Sequence, residues 1–161
     1  MSDSREKIVW NEIKTILSAD TDLSYIKKVN EGWRDLTADE NFPCLYMEPV
    51  ASPEEPYSTG NRVKINFDLQ IIGEMFAYDF DHQIYGYTYT ETVDGAPVTR
   101  TVKGIMDIAN DIKSVLSKTM NLNGKCQSFT FTDTKYSLNE FPFRQVAITM
   151  KILLITAGAA R

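Results

Sequence analysis

Two amphipathic helices, a set of alternating strands with few helical crossovers between them, and one tight hairpin predict an α+β fold. We expect a mostly antiparallel sheet with two helices packed on one face and a projecting β-hairpin. The alternation is strongest in VKINFDLQI, residues 63–71, where Val63, Ile65, Phe67, Leu69 and Ile71 interleave with Lys64, Asn66, Asp68 and Gln70. The helical stripe is clearest at Ile105, Ile108, Ala109, Ile112 and Leu116. A chain of 161 residues reads as one domain, 1–161, with a hairpin excursion at 84–102. That length allows burial of roughly 70% of the unfolded surface.

In chain order, residues 4–18 form the first helix, with Val9, Ile13, Ile16 and Leu17 on one face and Trp10 at its edge. Asp3 with Glu6 three residues on resembles a capping box, and Ser18-Ala19-Asp20 stops the helix. Residues 25–29 make a short strand and 31–41 a polar loop without a period. Residues 42–50 are a strand opened by Pro43 and closed by Pro49, both tolerable at strand ends or on an edge. The stretch 51–61, with two prolines, two glutamates and Gly60-Asn61, is a second loop.

After the long strand at 63–71 comes EMFAYDFDH, residues 74–82, which has no period and reads as irregular. The hairpin and the second helix, 103–120, follow, and Asn121 to Gly124 stop that helix and turn the chain. Phe129 and Phe131 alternate with threonines as a strand. Residues 144–155 are the last strand, with Val146, Ile148, Met150, Ile152 and Leu154 on one face. Leu153 and Ile155 make its end apolar on both faces, as expected of a central strand. The final residues, GAAR, read as a frayed tail.

The net charge is −5 and the basic residues are scattered, which argues against a clustered phosphate footprint and hence against specific nucleic-acid binding. The N-terminal residues show no export signal, and no apolar run approaches the ~20 residues of a membrane span. Cys44 and Cys126 are far apart and outside any CxxC, so they read as reduced thiols. A single histidine leaves little scope for His-based metal or acid–base chemistry.

Asp79, Asp81 and His82 are the best metal candidates, because two aspartates on an extended segment point the same way. No spacing supplies further ligands, so a solvated acidic turn is the expected role. Asp107 and Asp111, one helical turn apart but off the apolar stripe, are expected on a solvated face. Trp10 and Trp33 are taken as packing residues rather than stacking platforms. No glycine-rich phosphate loop, nucleophile elbow or Cys-His pairing is present, so no catalytic, cofactor-binding or metal residues are assigned and a non-enzymatic protein is expected.

The hairpin is the most distinctive feature. With Asp94-Gly95 as a two-residue type I′ turn, Val93 faces Ala96, Glu91 faces Val98, Tyr89 faces Arg100 and Tyr87 faces Val102. One side of the ribbon then carries Tyr85, Tyr87, Tyr89, Val93, Val98 and Val102, with Arg100 placed to stack on Tyr89. The other carries Thr88, Thr90, Thr92, Thr99 and Thr101 with Pro97. A lone two-stranded ribbon is marginal in water, so the tyrosine side should dock, either on the protein's own sheet or on a neighbouring subunit. Tyr85, Tyr87, Tyr89, Val98, Arg100 and Val102 are the candidate interface residues, since Tyr and Arg are favoured anchors.

The order of elements, with FPCLYMEPV early and GIMDIANDIKSVL, a Gly turn, an aromatic strand, FPFRQV and a terminal apolar strand late, resembles the tail-terminator or tail-completion (head–tail joining) proteins of tailed bacteriophages. The resemblance covers nearly the whole chain. It implies a virion structural protein at the tail or head–tail junction, assembled in the host cytoplasm. In that family a ring, usually of six subunits, caps the tail tube and stops its polymerisation. The implied partners are other copies of the chain, the tail tube protein and the head-connector protein, with DNA only passing through the channel and no membrane. It favours a neighbouring subunit as the ribbon's dock. A different phage or prophage head–tail joining or baseplate protein is the alternative, and a small ligand- or metal-binding domain a further one.

Overall fold

The computed structural model describes residues 3–31, 42–56, 62–137 and 141–157. The expected α+β architecture is observed. Helix α1 (Arg5–Ala19) is followed by a 3-10 turn (Thr21–Leu23) and strands β1 (Lys28–Glu31), β2 (Cys44–Ala51), β3 (Glu54–Pro56) and β4 (Arg62–Phe76). A short helix α2 (Phe80–Tyr85) precedes the ribbon strands β5 (Tyr87–Val93) and β6 (Ala96–Val102), and then come α3 (Ile105–Ser117), a turn at Asn121–Gly124, β7 (Ser128–Ser137) and β8 (Phe143–Ala157).

The main sheet runs β1-β2-β4-β8-β7, with β3 also on β4, and every pairing is antiparallel except β1 with β2. Its spine is the ladder from Arg62↔Ala157 to Phe76↔Phe143. As expected, β8 is interior to the sheet, between β4 and β7. The long strand does not stop at residue 71, because Glu74, Met75 and Phe76 still have β8 partners in Gln145, Arg144 and Phe143. Part of the stretch expected to be irregular is therefore sheet. The loop expected at 51–61 includes β3, which pairs Glu54 with Ile65 and Pro56 with Val63. Residues 32–41, including Trp33, and 57–61 lie outside the described residues, as does the tail at 158–161.

The odd-numbered apolar positions of β4 and the even-numbered ones of β8 point to the helical side, where α1 contributes Val9, Ile13 and Leu17. Helix α3 adds Ile105, Ile108, Ala109, Ile112, Val115 and Leu116, and together these residues make one core. Contact is close enough that a Cβ on Gly73 would lie 3.0 Å from Ile108 Cγ2. Helix α1 is capped by Ser4, whose Oγ accepts from the Lys7 amide at 3.3 Å, and not by Asp3, which pairs with the Lys7 ammonium at 2.9 Å. At the end of α3 the chain reverses through Asn121, Leu122 and Asn123, with φ of 49°, 52° and 57°. Asparagine tolerates that region, whereas Leu122 is held there with its side chain fully buried.

Candidate functional site

The ribbon forms where its turn chemistry dictates. Asp94 and Gly95 both have positive φ, 51° and 80°, as a type I′ turn requires. The register runs from Val93↔Ala96 through Tyr89↔Arg100 to Tyr87↔Val102, as the sequence predicts. Tyr87, Tyr89, Val98, Arg100 and Val102 therefore share one side. Tyr85 does not belong with them. It is the last residue of α2 and 72% exposed. Asp79 starts that helix by accepting from the amides of Asp81 and His82, and Gly86, at φ 76°, breaks the alternation before Tyr87.

The base of the ribbon is anchored on its own molecule. Tyr87 and Val102 pack against the core, and the His82 ring stacks on Tyr87 with centroids 4.3 Å apart. The backbones of Gly86 and Gly104 nearly touch, since a Cβ on Gly104 would lie 2.4 Å from Gly86 N and 2.3 Å from Ile84 O. Above this pinch the ribbon stands clear of the body. Tyr89 is 44% exposed, the threonine side is open, and among the described residues β5 and β6 pair only with each other. Arg100 donates its Nε–H to Glu91 Oε1 at 2.8 Å rather than stacking on Tyr89. The lower end of the ribbon is thus seated on its own molecule, and its outer part pairs with no other strand among the described residues.

Beneath the ribbon lies a groove of about 410 Å³, walled by Tyr25, Lys27, Phe42, Pro43, Met75 and Phe76 on one side and by Tyr87, Tyr89 and Arg100 to Lys103 on the other. At one end of it the Tyr25 hydroxyl donates to Asp111, and the Lys103 ammonium lies 3.5 Å from the same carboxylate and over the tyrosine ring. Asp111 is therefore not a solvated carboxylate, because helix α3 turns it toward the segment that leads into β1. Burial, and next the bond to Asp111, push the Tyr25 pKa well above the ordinary tyrosine value.

The acidic turn has a structural role. Asp79 caps α2 and His82 stacks on Tyr87, so Asp79, Asp81 and His82 do not sit side by side on an extended segment. No three His, Cys, Asp or Glu side chains form a metal-binding group among the described residues. Beside this turn lies a feature that the sequence did not reveal. Phe42, Phe143, Phe76, Tyr78, Phe141 and Phe80 form a chain of ring contacts from the core outward, ending in Tyr78 at 73% and Phe80 at 52% exposure. Gln83 was equally hidden. Fully buried, it donates to Ala77 O and Pro142 O and accepts from Arg144, which bolts α2 to the start of β8. Glutamine has no signature that marks it in advance as a buried bracket.

No family model and no curated protein matches this chain. No helix among the described residues is long and apolar enough to cross a membrane.

Proposed function

We propose that this chain is a non-enzymatic virion structural protein that associates with copies of itself through the ribbon. In this reading it forms a ring of the tail-terminator kind, at the tail or head–tail junction, which caps a tail tube and joins it to the head connector. The observation that carries the reading is the outer ribbon, where Tyr89 and Arg100 stand exposed on a correctly turned hairpin. Aromatic and Arg anchors on a projecting element favour assembly over chemistry. The resemblance of FPCLYMEPV and of the C-terminal half to tail-terminator proteins supports the same role. The net charge of −5 agrees with a channel along which DNA slides without sticking.

The test is a light-scattering series on the purified protein over a wide concentration range, paired with sedimentation against purified tail tubes. A closed oligomer, or binding at tube ends, is the expected result. A monomer at every concentration that also ignores the tubes would overturn the reading.

A further inference from the structure

Among the described residues, the ribbon has an open strand edge and so has the main sheet at β7, its rim farther from the ribbon's base, β1 being the nearer rim strand. In a hairpin with a two-residue turn, Val93 and Ala96 exchange both backbone hydrogen bonds, so every second pair turns its N–H and C=O groups outward. Those pairs are Thr92/Pro97, Thr90/Thr99 and Thr88/Thr101. On β5 the outward row is complete. On β6 it is broken at Pro97, which has no N–H to offer, and proline is a common way of blunting an edge. The ribbon is therefore open along β5 and interrupted along β6.

The second open edge is β7. It is a rim strand of the main sheet, ten residues long, and among the described residues pairs on one side only, with β8. A register shift between Phe131 and Asp133 sets off Asp133–Ser137 as a continuous run that matches Thr88–Thr92 in length. Laid antiparallel, the two runs set Thr88 opposite Ser137 and the exposed Tyr89 opposite the exposed Tyr136, and Thr–Ser and aromatic cross-strand pairs favour strand pairing. One copy cannot satisfy both edges by itself. The ribbon's base sits against Lys27 and Pro43, which lead into β1 and β2, while β7 closes the far rim, about 19 Å away at ordinary strand spacing.

We propose that β5 of one copy adds, edge to edge, to Asp133–Ser137 of β7 in the next. The contact joins unlike rims, so it is head-to-tail and propagates around a closing assembly. It rests on the self-association proposed above and specifies the surfaces that meet.

Thr90→Pro and Thr99→Pro test it, because the two residues face each other and each substitution removes one outward N–H without breaking a bond inside the hairpin. Thr90→Pro should weaken association about tenfold or more, the loss expected for a broken strand contact, while Thr99→Pro associates like the parent. In the unaltered protein, amide exchange on assembly should slow at Thr88, Thr90, Thr92 and along 133–137, and stay unchanged at Thr99 and Thr101. Equal damage from both prolines, or unchanged exchange along 133–137 in an assembled sample, would overturn the edge pairing alone. A parent that never self-associates removes the assembly reading as well. Protection of 133–137 that appears only when purified tail tubes are added would assign the edge to another protein and overturn the second copy. Should Thr90→Pro fail to fold, the exchange measurement decides.

Discussion

The hydroxyl of Tyr25 donates to Asp111 Oδ2 across 2.8 Å, joining the segment ahead of β1 to helix α3. Tyr25→Phe keeps the ring and removes only this bond, so it should cost about 1–2 kcal/mol in denaturant unfolding. The bond also gives the stability a sign in alkaline solution. The Tyr25 pKa is raised in the fold, so the folded protein keeps a proton that the unfolded chain releases above pH of about 10. Its contribution is complete below that pH and is lost as the pH rises further. Melting temperatures measured from pH 8 to 11.5 should therefore fall more steeply in the parent than in Tyr25→Phe.

The glycine pinch at the ribbon base gives a second prediction. A Cβ on Gly86 would lie 2.3 Å from Val102 O, and Gly86 also holds a positive φ that side chains resist. Gly86→Ala and Gly104→Ala should each cost about 3 kcal/mol or more in chemical denaturation, since backbone atoms, unlike a side-chain tip, cannot step aside. Gly95→Ala, at the open turn, meets nothing within 4 Å and should cost only the φ strain, about 1 kcal/mol.

The two ribbon tyrosines should separate stability from assembly. Tyr87 packs on the core and on His82, so Tyr87→Ala should destabilise the monomer by about 2–4 kcal/mol. Tyr89 projects, so Tyr89→Ala should leave the monomer's melt within about 0.5 kcal/mol and weaken association by about 1–2 kcal/mol. Replacing 88–101 by a short Gly/Ser linker, with Tyr87 and Val102 kept, should give a monomer that melts within a few degrees of the parent and does not assemble. Thermal melts and light scattering on the same samples check all three.

Both cysteines are free thiols in the fold, Cys44 buried and Cys126 half-buried, and burial pushes the Cys126 pKa up to about 11. Little thiolate exists at neutral pH, so reaction with a disulfide reagent at pH 8 should be slow in the native protein. Denaturation without reductant should release two equivalents at once. Their absence would reveal a disulfide.

Much of this fold was legible because burial follows period. The alternation from Val63 to Ile71 marked the central strand, the Ile105–Leu116 stripe marked α3, and Asp94-Gly95 fixed the ribbon register to the residue. What escaped depended on tertiary partners. Glu74 to Phe76 lack a period of their own, and they are strand because β8 runs alongside. Helix α2 is too short for a stripe and rests on one cap and one buried glutamine. Asp111 looked solvated because nothing in its own helix announces Tyr25, which comes from a distant part of the chain. The ribbon's side was therefore readable, while the limit of its seating, between Tyr87 and Tyr89, was not.

The ladder that joins β4 to β8 also sets the order in which the molecule can form. Every strand pair within the ribbon is local, so the hairpin can close within microseconds of leaving the ribosome. β4 cannot complete its pairing so soon, because its main partner, β8, is separated from it by the ribbon, α3 and β7. During synthesis the long open edge of β4 waits for β8, and the sheet closes by slow, non-local pairing once that strand is free. That interval is when the chain is most exposed to aggregation. Expression at low temperature or with a chaperone should therefore change the soluble yield far more than substitutions on the outer ribbon, such as Tyr89→Ala, do.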